Sequence, residues 1–168
     1  MELWDVYDEG RRKTGKTHVR GVPMEEGEYH LISDIWVVDG LGNVLITRRH
    51  PKKAYGLMWE CSGGSVLEGE TSLQGAVREL AEETGIHVRE EDLNLIHTIQ
   101  CKDRFVDTYI TRQEVSVEDL TLQPEEVVDA KFVTFHELLA MWDQGIVVPK
   151  TRFLLYKDSI CAFITPPS

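Results

Sequence analysis

Short runs of apolar residues, separated by polar turns, recur along the chain and predict a series of β-strands. The clearest pair lies at residues 35–38 and 44–47, which a polar turn at 39–43 joins into a hairpin. The other strands are predicted at 3–7, 16–19, 93–100, 107–112 and 131–134.

A helical spacing of apolar residues appears between these strands and after them. The clearest helix is predicted at residues 72–84, because Thr71 and Gln74 have the spacing of a capping box and Gly85 is placed to end the helix. Two further helices are predicted within residues 135–145 and 149–163. Helices interspersed with strands in this order predict an α/β or α+β domain, in which helices pack on a mixed sheet.

Length and net charge limit the classes of protein that this sequence fits. A chain of 168 residues is the size of one domain. Its 29 acidic and 18 basic residues give a net charge of −11, which opposes binding to nucleic acid. The sequence has no apolar run long enough to cross a membrane, and its three cysteines lack the spacing of a zinc site. We therefore expect a cytoplasmic protein with reduced thiols and no membrane partner.

Residues 10–17 read Gly-Arg-Arg-Lys-Thr-Gly-Lys-Thr and match the spacing of a phosphate-binding loop. Such a loop follows a buried strand and opens a long helix, whereas Gly21 and Pro23 would end any helix here almost at once. We therefore interpret this stretch as part of an N-terminal β-hairpin. The polar turns of that hairpin are predicted at 8–10 and 13–15.

Three carboxylates of the helix at 72–84 share one face. At about 100° per residue, Glu82 and Glu83 project on either side of Glu79. The apolar side chains lie on the opposite face: Leu73, Val77 and Leu80. An acidic stripe of this kind is often only a solvated surface. It also repels itself unless a cation binds, and oxygen ligands without His or Cys suit Mg²⁺ or Mn²⁺. Before the helix, Ser62-Gly63-Gly64 is interpreted as a flexible turn that could bring its backbone to the same ion or its phosphate.

Residues 64–86 carry a longer pattern. Gly64 is followed at fixed intervals by Glu70 and by the run Arg-Glu-Leu-Ala-Glu-Glu-Thr-Gly-Ile at 78–86. This pattern resembles the Nudix box at every defining position, although Ser62 stands where the family often has Pro. The resemblance extends to Trp59 and to the acidic segment at 124–133.

The resemblance implies one Nudix domain over residues 1–168, with an N-terminal hairpin extension at 1–28 and the Nudix box at 64–86. The implied fold is an α/β/α sandwich with a mixed sheet. The implied activity is Mg²⁺-dependent (or Mn²⁺-dependent) hydrolysis of a diphosphate linkage in a nucleoside diphosphate derivative or a similar small molecule. The family is MutT-like, and homodimers are common in it.

Site residues are carried over on the same basis. The implied metal ligands are Glu79, Glu82, Glu83 and the Gly63 carbonyl, and the implied catalytic residues are Glu79, Glu82, Arg78 and Glu126. Arg78 is expected to point away from the ligand face and to brace Glu70. Glu125 and Glu126 are alternative candidates for a later acidic ligand or general base, and Asp103 and Asp107 are weaker ones.

Basic residues near the hairpin and after the strand at 44–47 could offset the charge of an anionic substrate. The hairpin residues are Arg11, Arg12, Lys13, Lys16 and Arg20, and the later ones are Arg48, Arg49, Lys52 and Lys53. A solvated hairpin tip explains the first group equally well. Arg48, Arg49 and Lys53 are the predicted substrate contacts.

Two alternative functions remain open. The N-terminal sequence also resembles the branch of the family that contains isopentenyl diphosphate isomerase. That enzyme needs a cysteine where Gly63 stands here, and Cys61 lies two residues away. A non-catalytic Nudix-like domain that senses a ligand is the other alternative, and the intact set of carboxylates argues against it.

Overall fold

The computed structural model describes residues 1–165 and has nine strands and three α-helices in that range. The strands are β1 Leu3–Tyr7, β2 Lys13–Val19, β3 His30–Val38, β4 Val44–Arg49, β5 Trp59–Glu60, β6 Ser62–Ser65, β7 Asn94–Gln100, β8 Arg104–Arg112 and β9 Val127–Val133. The helices are α1 Ser72–Thr84, α2 Phe135–Asp143 and α3 Lys157–Ile164. Within residues 1–165, no helix has the length and apolar character needed to span a membrane.

Seven strands form one mixed sheet, whose central path runs β5-β4-β3-β8-β7. Strands β3 and β8 are parallel, from the His30–Arg104 pair to the Val38–Arg112 pair. The other pairings in the sheet are antiparallel, including β6 on β3 and β9 on β4. The predicted mixed sheet is therefore confirmed.

Strand β3 alternates between two apolar layers, which explains the three-layer arrangement. Ile35 and Val37 face α1, whereas Trp36 and Val38 face the opposite side. The first layer includes Ala76 and Leu80 of α1. The second includes Leu138 of α2, Ile160 of α3 and, from the segment before α3, Phe153, all fully buried. The two-residue period of a strand thus directs its apolar residues to helices on both faces.

The N-terminal hairpin forms a separate two-stranded sheet from β1 and β2. It is attached to β3 by the ring of Trp4, which stacks on His30 at a centroid distance of 3.9 Å. Backbone hydrogen bonds between Tyr7 and Tyr29 add a second point of attachment. The predicted hairpin is confirmed, but residues 13–15 belong to β2 and the turn lies at residues 8–12.

Two other local predictions are wrong. The Ser62–Ser65 segment is not a flexible turn, because it pairs with β3 as strand β6. The single helix predicted at 149–163 is divided into two short 3₁₀ segments, Pro149–Thr151 and Phe153–Tyr156, followed by α3. The division falls at Arg152, whose φ of 48° is left-handed and incompatible with a continuous helix.

Candidate active site

Helix α1 is held at both ends by local interactions encoded in the sequence. Thr71 caps the first turn by accepting a hydrogen bond from the Gln74 backbone, and Gln74 completes the capping box. Gly85 ends the helix with a left-handed φ of 76°. Because Leu80 on the inner face is fully buried, the rotation of the helix is fixed and its acidic face is turned towards a cleft.

Arg78 organises the carboxylates at the edge of this cleft. Its Nε donates to Glu70 Oε2 at 2.7 Å, and its Nη2 donates to Glu70 Oε1 at 3.0 Å. The predicted contact with Glu70 is therefore present. Arg78 does not point away from the acidic face, however, because its Nη1 also donates to Glu79 at 3.0 Å and to Glu82 at 3.2 Å.

Glu79 is packed against the backbone of β6. A Cβ atom at Gly64 would overlap the Glu79 carboxylate, so that only glycine leaves room for this contact. Burial raises the pKa of Glu79 to about 7, against the opposing effect of Arg78. The negative form of this carboxylate is thus incompletely compensated by the protein.

Glu83 lies deeper than Glu79. Among residues 1–165, no cation lies as close to the Glu83 carboxylate as Arg78 lies to Glu79. Burial raises its pKa well above the ordinary value, and the nearby carboxylates of Glu79 and Glu60 raise it further. Lys53 and a backbone hydrogen bond from Gly63 oppose the shift. Glu79 and Glu83 are therefore two poorly compensated carboxylates on one helix face, which is the electrostatic condition for binding a cation.

The cleft in front of these carboxylates has a volume of about 420 Å³. Glutamates of α1 line it, and so do cations from three other parts of the chain. Arg20 comes from the end of the hairpin, Arg49 from the end of β4, and Lys53 from the following turn. Acidic and basic side chains thus line the same opening.

The predicted site residues divide between this cleft and the rest of the surface. Those that line the cleft are Arg49, Lys53, Gly63, Arg78, Glu79, Glu82, Glu83 and Glu126. Arg48 lies elsewhere, because its guanidinium stacks on Trp59 and its Nε donates to the Leu57 carbonyl. Of the two late acidic candidates, Glu126 reaches the cleft and pairs with Lys53.

Most of the basic hairpin residues do not reach the cleft. Lys16 pairs with Glu28 at 2.9 Å, Lys13 with Asp5 at 3.3 Å, and Arg11 with Asp107. The Asp107 candidate is therefore neutralised by Arg11, away from the acidic face of α1. The predicted patch is reduced to Arg20, whose Nη1 donates to Glu2 at 2.6 Å at the edge of the cleft.

Sequence reasoning missed three carboxylates near the site. Glu2 lines the cleft from the first residues of the hairpin. Glu60 pairs with Arg49 at 2.7 Å, and burial raises its pKa. Burial also raises the pKa of Asp34 to about 7. No spacing in the sequence connects these residues with α1. Asp34, for example, lies beside Gly63 only because β3 pairs with β6.

The donor set fits a hard divalent cation. Glu79 and Glu83 are partly buried and carry raised pKa values, and the carboxylates supply only oxygen, as Mg²⁺ and Mn²⁺ prefer. Across residues 1–165, no three acidic, His or Cys side chains already stand together at ligating distance. Arg78 accounts for part of this, since its hydrogen bonds hold Glu79 and Glu82.

Comparison with known proteins places this chain in a family. Residues 28–151 match the NUDIX domain. An uncharacterized Nudix hydrolase of Listeria monocytogenes is 40% identical over 151 residues, which cover 89% of this chain and 89% of that protein. A Deinococcus radiodurans crystal structure is similar with a TM-score of 0.73 and 20% identity, over 88% of this chain and 92% of that one.

A further structure of related fold comes from Francisella tularensis. It is a bifunctional NMN adenylyltransferase/ADP ribose pyrophosphatase in complex with AMP and a manganese ion. The similarity has a TM-score of 0.54 at 18% identity and covers 67% of this chain and 35% of that one.

Proposed function

This chain belongs to the Nudix hydrolase family and is a pyrophosphohydrolase, and from that premise we propose that it cleaves a diphosphate linkage in a small molecule with Mg²⁺ or Mn²⁺ as cofactor. The family generally uses divalent metals and acts on nucleoside diphosphate derivatives. The observation that carries the proposal is the pair Glu79 and Glu83, two partly buried carboxylates with raised pKa values that line a cleft together with cationic side chains.

The proposed roles follow from position. Glu79, Glu82 and Glu83 hold the metal, together with the Gly63 carbonyl at the same edge. A bound divalent ion supplies positive charge that offsets the phosphates, polarises phosphorus and makes a nearby water more acidic. Arg78 positions two of the carboxylates and is anchored to Glu70. It acts through them as a positioning residue and does not touch the substrate.

Glu126, which also lines the cleft, is the proposed base or additional ligand from outside α1. It pairs with Lys53, which lies close enough to oppose the raised pKa of Glu83. Arg49 and Lys53 are the proposed contacts of the diphosphate, and Arg20 joins them from the hairpin. Their charges offset the repulsion that an acidic protein exerts on an anionic substrate.

Hydrolysis is favoured over isomerisation by the state of Cys61. This thiol is buried, and burial raises its pKa well above the ordinary value, so that a reactive thiolate is disfavoured. Isomerisation of isopentenyl diphosphate would need an accessible thiol as acid and base. Conversion of isopentenyl diphosphate to its allylic isomer, lost in Cys61→Ala, would overturn the hydrolase proposal.

The proposal is tested with a panel of nucleoside di- and triphosphates, dinucleotides and sugar diphosphates in ¹⁸O-water. We expect ¹⁸O in a phosphoryl product in the presence of Mg²⁺ or Mn²⁺, and none with a chelator. Calorimetric titration of the metal alone gives a second readout, because binding should occur without substrate. Equal activity in excess chelator would contradict the metal assignment, and a panel without any hydrolysis would contradict the activity.

A further inference from the structure

A second cavity adjoins the cleft at strand β6 and has a volume of about 180 Å³. The two openings share Arg49, Gly63 and Gly64 on their walls. A ligand whose diphosphate lies in the cleft can therefore extend its remaining part into the cavity. Pockets for drug-sized ligands measure about 300–1,000 Å³, so the space here suits one compact group.

The wall of the cavity is rich in cations. Arg104, Lys150 and Arg152 line it together with Arg49. Arg49 pairs with Glu60 at 2.7 Å, and Arg104 pairs with Asp103 at 3.3 Å. In the part of the chain that the structure describes, no carboxylate forms a salt bridge with Lys150 or Arg152. A concentration of positive charge in a chain of net charge −11 favours an anionic ligand.

The segment that supplies these cations has two unsatisfied features. The hydroxyl of Thr151 is buried and has no hydrogen-bond partner among residues 1–165. Arg152 has a left-handed backbone, with φ 48° and ψ 29°, and its guanidinium contacts the Cys101 thiol at 2.6 Å instead of a carboxylate. A buried hydroxyl without a partner and a strained arginine beside one cavity are features of ligand sites.

The rest of the lining indicates which anion would fit. Asp34 and Glu60 contribute carboxylate oxygens, which accept hydrogen bonds from hydroxyl groups. No aromatic side chain from residues 1–165 lines the cavity, so it offers no surface on which a nucleobase would stack. Cations with hydroxyl acceptors between them match a phosphorylated sugar better than a nucleoside.

We propose that this cavity binds a phosphorylated sugar, so that the substrate of the hydrolase is a compact sugar diphosphate with a second phosphate. Lys150 and Arg152 bind that second phosphate, the Thr151 hydroxyl donates to it, and Asp34 accepts from sugar hydroxyls. This assignment rests on the proposed hydrolysis of a diphosphate in the adjoining cleft. It predicts that Lys150 and Arg152 determine specificity and take no part in bond cleavage.

Binding of ribose 5-phosphate to the full chain in EDTA tests the cavity without any hydrolysis. Isothermal calorimetry should detect ribose 5-phosphate, and binding of ribose or adenosine should be at least about tenfold weaker, because each lacks the charged contacts. Inorganic phosphate should bind more weakly than the sugar phosphate. Equal binding of phosphate alone, or tighter binding of adenosine, would overturn the proposal.

Variants locate the binding. Lys150→Gln with Arg152→Gln should weaken the binding of ribose 5-phosphate by about tenfold or more. Arg89→Gln with Lys157→Gln is the matched control, because it removes the same charge from exposed positions outside the cleft and the cavity and should leave binding unchanged. Lys150→Gln alone changes an exposed side chain and should weaken binding severalfold even if the double variant is unstable. Unchanged affinity in that folded variant would overturn the assignment of Lys150.

Hydrolysis then separates the two proposals. With Mg²⁺, the double variant should lower kcat/KM for 5-phosphoribosyl 1-diphosphate by about tenfold, and for methyl diphosphate by less than about twofold. Equal losses for both substrates would contradict a specificity role. If no diphosphate is hydrolysed, the proposed function fails, while the calorimetric result still decides whether the cavity binds a sugar phosphate.

Discussion

The hairpin sequence Gly-Arg-Arg-Lys-Thr-Gly-Lys-Thr and the acidic face of α1 are both motifs associated with phosphate chemistry. They differ in whether their charges are paired within the protein. The hairpin lysine Lys16 is exposed and pairs with Glu28, a neighbour of equal and opposite charge. On α1, Glu83 is partly buried near other carboxylates, and its pKa is raised. The charge of Lys16 is thus paired within the protein, whereas the charge of the Glu83 carboxylate is poorly compensated.

The difference indicates how a functional motif can be distinguished from a coincidental one. Charged groups that are fully paired within the protein gain little from a ligand, since binding would first break the existing pairs. Charges that are buried without compensation destabilise the fold until a ligand of opposite charge binds. The acidic face of α1 satisfies the second condition, and the loop-like sequence of the hairpin satisfies the first.

Replacement of Glu83 should give the largest change. Glu83→Gln removes a negative charge from the acidic face and should lower turnover by at least about 10²-fold, as expected when charge stabilisation in a preformed site is lost. Because the folded protein no longer buries this poorly compensated carboxylate, stability without metal should be equal or greater. Steady-state kinetics with Mg²⁺ and thermal unfolding in EDTA measure the two effects.

The matched control for Glu83→Gln is Glu68→Gln, at a glutamate of the same segment that does not line the cleft. Its kinetics should remain within about twofold of the unchanged chain, as for a surface substitution. Full activity in Glu83→Gln would remove the contrast between the two motifs, because the buried carboxylate would then have no function.

The attachment of the hairpin should depend on pH through His30. Burial lowers the pKa of His30 to about 4, and the nearby Arg104 and His18 also lower it. The unfolded chain, with a pKa of about 6.5, therefore binds the proton more readily between pH 4 and 6.5. Stability is lost as the pH falls through this window, by about 2 kcal/mol between pH 8 and 5.

Denaturant unfolding at a series of pH values measures this loss, and His30→Phe is the control. Phenylalanine keeps a flat ring against Trp4 but cannot be protonated, so its stability should vary less over the same range. An NMR titration assigns the proton directly. A folded-state pKa near 6.5 for His30 would contradict the prediction.

Arg20 is a hairpin residue whose replacement should affect substrate binding, which would weaken the contrast between the hairpin and α1. It pairs with Glu2 at 2.6 Å but lines the same cleft as Glu79 and Glu82. We expect Arg20→Gln to raise KM by about tenfold at low salt with little change in kcat, because a distant cation contributes to binding more than to the reaction. The effect should shrink at high ionic strength. An unchanged KM would place Arg20 with the fully paired hairpin residues.

The sequence could predict the parts of this molecule that depend on local patterns. The capping box at Thr71, the glycine stop at Gly85 and the carboxylate spacing on α1 are each encoded within a few residues. The mixed sheet was predicted from the order of helices and strands along the chain. The roles of the site residues remain predictions.

What the sequence could not predict depends on distant pairing. The glycine segment was interpreted as a flexible turn, because its partner β3 lies about thirty residues earlier and glycine has little strand propensity. Arg78 was expected to point away from the ligand face, but its long side chain reaches Glu79 and Glu82 as well as Glu70. The break at Arg152 was missed because nothing in its residue type requires a left-handed backbone.

Lys16→Ala should give the smallest effect, although Lys16 occupies the position of the catalytic lysine in the loop motif. Its ammonium group is exposed and pairs with Glu28, and in this region of high dielectric such a pair contributes little to stability. We expect kcat/KM to remain within about twofold of that of the unchanged chain, and the free energy of unfolding to stay the same. Side-by-side kinetics of Lys16→Ala and Glu83→Gln make the comparison direct. A large loss of turnover in Lys16→Ala would mean that the hairpin lysine leaves Glu28 to bind phosphate, and that pairing within the protein does not distinguish the two motifs.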